Sequence, residues 1–396
     1  MRRGQLNQWD ASGSIQLSDI AYKDVPLKKA RSEFSITPST TSFTNIEATF
    51  GYNTYIPSKY AQEQPSTGTV VANKIEYSPS EKTVTVSELK GKAWITPIVN
   101  LFSKNVGKVI DNTAYFSAPP NLVTNGVVAL KDQADKTNLI TQLVSPASIH
   151  YNLLGQDVLF SNTNGTIQLR GRDIFLNNIS STSLGGALAG NFRIYTKSTE
   201  KPKGEFAGNV VFSEFSLDNI SDRYALDSKT GGSLTGRMSF VGKPGDVTQL
   251  QGEGFIGLDQ ADLFYIPVFG PLSPIMSGLL GDKKTSHEQV SSVSAGFIIK
   301  NGKVYTNDIS STTPSAIITG AGYLDLDKKV VDIAVKAKTR GLLGFITLPI
   351  KPLEGKLLQF RGTGPMSDPN WQSAAFEDIP EYLPKDDSVN RAIIVD

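Results

Sequence analysis

The sequence predicts a mainly β chain, mostly antiparallel, interrupted by two short amphipathic helices. Three observations carry this. Apolar residues alternate with polar or small ones along most of the 396 residues, the period of strands with two unlike faces. Gly, Asn and Asp recur between the alternating runs, where turns need them. Two segments break the alternation, and each opens Ser/Thr-Pro-Ile, the start signal of a helix.

Taken in order, EKTVTVSEL sets Val84 and Val86 against Thr83 and Thr85, as a strand would. In AWITPIVNLFSKNVGKVIDN, Thr96 can cap a helix that starts at Pro97 and runs over about 97–110. Ile98, Leu101, Phe102 and Val109 give it an apolar stripe. GEGFIGLDQADLF reads as one β segment. ADLFYIPVFGPLSPIMSGLLG, residues 261–281, then concentrates apolar surface around Pro267, Pro271 and Pro274. It suits a strand end, a turn and a helix over about 274–280, capped by Ser273 and stopped by Gly281. Ile275, Met276, Leu279 and Leu280 lie along one side of that helix and are candidates for a plug on an apolar surface. AGFIIKNGKVYT is a hairpin around the turn pair Asn301-Gly302. VVDIAVKAK puts Val331, Ile333, Val335 and Ala337 on one face, with Asp332, Lys336 and Lys338 on the other.

Short internal echoes suggest a repeated β unit. Gly13-Ser-Ile-Gln-Leu17 matches Gly165-Thr-Ile-Gln-Leu169, and Asn177-Asn-Ile-Ser-Ser matches Asn307-Asp-Ile-Ser-Ser. The expected division is 1–160, an N-terminal β region with one helix, 161–375, a second β region with the other, and 376–396, a loosely held charged tail.

Composition narrows the functions. Net charge is +1, so no nucleic-acid-binding face is implied. Charged residues are 19%, which leaves much of the surface neutral or apolar. With no cysteine there are no disulfides or thiolate nucleophiles. The longest apolar runs, LFYIPVFGPL and GLLGFITLPI, fall well short of the roughly 20 residues that span a bilayer as a helix. As given, the chain reads as soluble.

No motif nominates an enzyme, a metal or a cofactor. Gly252-Glu-Gly254-Phe-Ile-Gly257 spells the dinucleotide fingerprint, but that mechanism needs a helix to open at its end. His150 and His287 read as exposed loop histidines, the latter lacking a second histidine one helical turn on. Asp325-Leu-Asp327 reads as a solvated strand end before a turn.

Residues 205–375 resemble the C-terminal region of the AsmA-like family of bacterial envelope proteins. The resemblance runs through GNVVFSEFSLDNIS, read as a β segment, then TGGSLTGRMSFVG and LQGEGFIGLDQADLFYIPVFGPLSPIMSGLL. It continues through VSAGFIIKNGKVYTNDISSTTPSAIITGAGYLDLDKKVVDIAVKAK to GTGPMSDPNW. The earlier stretch from about residue 69 is similar to the region preceding that domain in large members.

The resemblance implies an elongated, curved antiparallel sheet forming an apolar groove. It also implies a periplasmic protein tethered to the inner membrane through an N-terminal segment this chain lacks, acting in outer-membrane lipid homeostasis. The implied partner is a phospholipid or other acyl-chain lipid, with envelope proteins beside it. Strand alternation nominates Phe255, Phe297, Ile299, Val304, Val331, Ile333 and Val335 as inward positions of such a groove. The competing expectation is an envelope scaffold whose apolar interior is sealed and carries no lipid.

Overall fold

The computed structural model describes residues 10–22, 25–50, 67–95, 114–153, 156–195, 204–224, 231–243, 245–261, 292–312, 316–339, 358–375, 377, 378 and 382. Both expected Pro-led helices, including Ile275, Met276, Leu279 and Leu280, lie outside these residues. Contacts group the chain into two compact units, Met1–Ser183 with Gly190–Pro202, and Leu184–Ala189 with Lys203–Asp396.

The first unit holds strands β1 (Ala11–Tyr22), β2 (Val25–Ile36), β3 (Thr41–Phe50), β4 (Gly68–Ser78), β5 (Thr83–Lys92), β6 (Ala114–Phe116), β7 (Asn121–Ala129), β8 (Asn138–Ser145), β9 (Ile149–Leu153), β10 (Gln156–Arg170) and β11 (Asp173–Ser183). The expected boundary at residue 160 falls inside β10. Pairing is antiparallel throughout, in the order β1, β2, β3, β4, β5, β7, β8, β10, β11. β9 pairs with Gln156–Phe160 of β10, the part that β8 does not reach, and β6 pairs with β9. β12 (Gly186–Tyr195) is divided between the two groupings.

The second unit is a meander in which each strand pairs antiparallel with the next. It comprises β13 (Glu205–Ser216), β14 (Ser233–Lys243), β15 (Asp246–Asp259), β16 (Ser292–Lys300), β17 (Lys303–Thr312), β18 (Ala316–Asp325), β19 (Val330–Thr339), β20 (Gln359–Pro365) and β21 (Asn370–Ser373). The Asn301-Gly302 hairpin is present, with φ of 52° and 71°, the left-handed pair a type I′ turn requires. GEGFIG lies within β15, so its glycines serve a strand and open no helix.

One expectation fails locally. The run read as strand through SLDNIS bends into helix α1 (Leu217–Tyr224) after β13. Ser216 caps it, its Oγ accepting a hydrogen bond from the Asn219 N–H at 3.2 Å. The Asp218 carboxylate accepts from the Gly231 N–H at 3.0 Å and ties the helix to the start of β14.

Bulges interrupt the ladders at regular places. Asn45, Glu88 and Glu214 take positive φ where the register of β3, β5 and β13 shifts. Such an extra residue bends its strand and frees a backbone N–H from the ladder. Two of these freed groups find side-chain acceptors. Glu88 N–H donates to Asn125 Oδ1 at 2.8 Å, and Glu214 N–H to Thr235 Oγ1 at 3.2 Å. At Asn178 of β11, also of positive φ, the N–H reaches Asn191 Oδ1 at 2.7 Å.

Packing on one sheet face follows a size rule. Directly across the second unit's ladders, Gly208 faces Phe240, Gly236 faces Phe212, Gly242 faces Phe206 and Gly254 faces Phe297. A Cβ built on Gly236 would meet Phe212 Cζ at 2.6 Å and the Phe255 carbonyl oxygen at 2.7 Å. The ring lies where a side chain at 236 would have to go. Gly236→Val is therefore expected to lower stability by about 1–3 kcal/mol, the usual cost of overpacking. Urea unfolding of the full chain measures it, with Ser239→Val on the opposite face as a control near zero.

Candidate functional site

Register decides which residues share a face, because residues directly opposite each other in an antiparallel ladder point the same way. In the first unit one row crosses eight strands: Phe34, Phe43, Ile75, Val86, Gly126, Leu139, Leu169 and Ile174. It contains no polar side chain. Its large residues are all half-buried, neither sealed in a core nor fully wet. Towards one end of the same face, Ala48, Val70, Leu122 and Leu143 form a packed cluster with Ala93. The opposite face carries ion pairs, Arg31 with Glu47 and Lys74 with Glu76.

The second unit repeats the arrangement. One row runs Gly208, Phe240, Gly252, Ile299, Val304, Leu324, Val331, Gly364. Ile299, Val304 and Val331, nominated separately from the sequence, thus line up across four strands. Phe297, Ile333 and Val335 lie on the same face in neighbouring rows, opposite Gly254, Gly322 and Gly320. Phe255 does not. It sits opposite Arg237 and Gly296 on the polar face, and Ile256 takes the apolar side. The two adjacent residues are equally exposed, at 39% and 38%, so exposure alone does not separate them. The alternation Gly252, Gly254, Ile256, Leu258 does.

Burial grades along this face. On β16–β21, Val293, Ile309, Ile318, Val331, Ile333, Val335, Ala337, Phe360 and Trp371 pack into a buried cluster. Ser311 is buried within that region, and its Oγ has no hydrogen-bond partner among the described residues. On β13–β16 most of the same face is half-buried instead, Phe206, Phe212, Phe215, Met238, Phe240, Leu258 and Phe297, with Val210, Val293 and Ile299 buried among them. Phe206 and Phe240 meet edge to face at 5.9 Å, and Phe212 stacks on Phe215 at 5.4 Å. Apart from Phe297 and Ile299, these residues were not among the expected positions, although the alternation of Phe206, Gly208, Val210 and Phe212 is readable in the sequence.

The polar face of β17–β20 holds the strongest electrostatic contacts. Arg361 grips Asp332 with two hydrogen bonds, Nε at 2.8 Å and Nη2 at 2.7 Å, and Tyr382 OH donates to the same carboxylate at 2.9 Å. The Gln359 amide donates to the Glu377 carbonyl at 2.9 Å. Glu377 and Tyr382 are two of the three described residues in the stretch expected to be a tail, and both make these contacts. Lys303 lies 4.9 Å from the Tyr323 ring centroid, and Tyr323 is 6.0 Å from the Tyr382 ring. Hydrogen bonding from Arg361 holds the Asp332 carboxyl below the ordinary carboxylate range, against burial that raises it. Burial, then the Asp332 contact, pushes the Tyr382 hydroxyl pKa up.

The remaining titratable candidates that the structure describes lie apart, in β9 and at the end of β18. His150 lies in β9 rather than an exposed loop, its Nδ1 2.8 Å from Asp157 Oδ2. Asp325 is buried at the end of β18, where it accepts the Lys328 N–H at 2.9 Å and closes the turn. Among the described residues no three His, Cys, Asp or Glu side chains gather as a metal site. His287 lies outside those residues. No helix among them is long and apolar enough to cross a membrane.

Comparison with family models, curated proteins and solved structures finds no match to this chain. The resemblance to the AsmA-like family therefore rests on the quoted sequence stretches alone.

Because Asp332 titrates lower in the folded chain than unfolded, its contribution is complete above about pH 4 and is lost as pH falls through the lowered value. Asp332→Asn is expected to cost about 1–3 kcal/mol at neutral pH, the range for charged hydrogen bonds, and to flatten the acid limb of stability. Urea unfolding between pH 2 and pH 7 checks both. Tyr382→Phe should leave the acid limb largely in place while increasing proteolysis of the tail.

Proposed function

We propose that this chain is a non-enzymatic lipid-binding or lipid-transfer module whose half-buried apolar sheet faces take the acyl chains of a phospholipid or similar lipid. The observation that carries the proposal is the apolar row that crosses eight strands of the first unit without a polar side chain, matched by the half-buried aromatic face of β13–β16. Acyl chains form no hydrogen bonds, so their site needs apolar area and no polar constellation. Covering such a face releases about 25 cal/mol per Å² of apolar surface. The glycine-to-ring pairing leaves broad flat rings along the sheet, a surface suited to extended methylene chains.

The setting proposed with this activity is the periplasm, with a role in outer-membrane lipid homeostasis and attachment to the inner membrane through a preceding segment. The AsmA-like resemblance supports that part. The buried cluster on β16–β21 favours the other reading, an envelope scaffold with a sealed interior. The two readings differ over β13–β16.

Ile256 and Phe255 separate them, being adjacent, equally exposed and on opposite faces. Ile333→Asp would be a poor probe, since Ile333 is buried in the packed cluster and a charge there unfolds the region. The chain is purified from bacterial membranes and its lipid counted by native mass spectrometry. Ile256→Glu is expected to lose most copurifying phospholipid and Phe255→Glu to keep it. Absence of lipid from the parent chain, or equal loss in both variants, would support the sealed scaffold.

A further inference from the structure

One row on the apolar face of the second unit holds a single polar side chain. Across the ladders from β13 to β18 it runs Phe215, Leu234, Leu258, Val293, Ser311 and Ile318. The first three are half-buried, and the last three are buried. Ser311 is 1% exposed, and its Oγ has no hydrogen-bond partner among the described residues. The matching serine of the first unit is satisfied. In Asn177-Asn-Ile-Ser-Ser181, the echo of Asn307-Asp-Ile-Ser-Ser311, Ser181 Oγ donates to the Ser161 carbonyl at 2.9 Å and lies 2.8 Å from Thr163 Oγ1. Beside Ser311 the neighbouring strands offer Val293 and Ile318 instead. A desolvated hydroxyl without an acceptor is costly. Buried water is a poor answer, because it needs about two to four polar partners and the side chains of Val293, Ile309 and Ile318 supply none.

We infer that Ser311 donates a hydrogen bond to the ester carbonyl oxygen of a glycerophospholipid whose acyl chain lies along this row, over Leu258, Leu234 and Phe215. The assignment rests on the lipid reading of β13–β16 and adds the linkage by which the lipid is recognised. The surroundings choose the acceptor. An oxygen that reaches Ser311 across this row has to be carried by an apolar chain. The described residues beside Ser311 on this face bear no charge, Lys336 and Lys338 of β19 being on the opposite one. A neutral carbonyl therefore suits the position, whereas a carboxylate or phosphate would lose its hydration without a counter-charge. From Ser311 to Phe215 the row crosses four strand spacings, about 19 Å, which is room for a long extended chain beyond the carbonyl. Ser311 is covered, so the ester group reaches it when Leu258, partly buried against the same cluster, moves aside.

The test compares two lipids that differ only in the linkage. The full chain is titrated in one detergent with a diester phosphatidylethanolamine and with its diether analogue of equal chain length, and bound lipid is counted by native mass spectrometry. The parent chain is expected to hold the diester about two- to tenfold more tightly, the worth of one hydrogen bond. Ser311→Ala should bring the diester down to the level of the diether and leave the diether unchanged. Ser310→Ala, on the opposite face, should keep the preference. Without lipid, Ser311→Ala should unfold in urea no more easily than the parent, because no partner within the chain is lost. Equal binding of the two lipids by the parent, a preference that survives Ser311→Ala, or a clearly destabilised Ser311→Ala chain would overturn the assignment. Equal binding leaves the acyl-chain proposal standing, whereas binding of neither lipid overturns both.

Discussion

The structure depends on one packing constraint: across a bent antiparallel ladder, two large apolar side chains cannot face each other everywhere on the same side. At several places in the second unit the chain meets it by placing glycine opposite an aromatic partner, while rows such as Ile299, Val304, Leu324 and Val331 set branched residues side by side. Phe212 over Gly236, Phe297 over Gly254 and Trp371 over Gly362 are instances, and in the last a Cβ on the glycine would come within 2.5 Å of the indole. Glycine weakens a strand through entropy and missing contacts. The ring that fills the space returns part of that loss. The same pairing makes that part of the face continuously apolar.

Bending brings a second requirement, which is that backbone groups expelled from the ladder still need partners. The bulges at Glu88, Asn178 and Glu214 are supplied from the adjacent strand by Asn125, Asn191 and Thr235. Polar residues scattered through otherwise plain strands acquire a purpose in this way. They are ladder repairs, and their presence does not signal a binding site. The bidentate pair between Asp332 and Arg361 acts likewise on the polar face, where with Tyr382 it fixes the chain beyond β21.

Much of the architecture was legible because alternation is a physical consequence of having two unlike faces. VVDIAVKAK gave β19 and its buried residues, and Asn301-Gly302 gave the hairpin. Phe255 went to the wrong face because Phe255 and Ile256 are both large and apolar, and only pairing with β14 and β16 decides between them. Helix α1 was missed because SLDNIS follows an alternating run, although Ser216 and Asp218 are ordinary helix-start residues. The half-buried residues of β13–β15 were readable as alternation. What sequence could not supply was their difference in burial from β17–β21, since that depends on which parts of the face are covered.

The central claim is that acyl chains lie on the apolar face of β13–β16 and not on its reverse. Single cysteines at 256 and 255, in a chain with no other thiol, can each carry a small environment-sensitive fluorophore. Phospholipid brominated in its acyl chains quenches a fluorophore only within contact range. The account predicts strong quenching at 256, little at 255, and recovery when unbrominated lipid is added in excess. Equal quenching at both positions, or none at 256 with lipid bound, would contradict it.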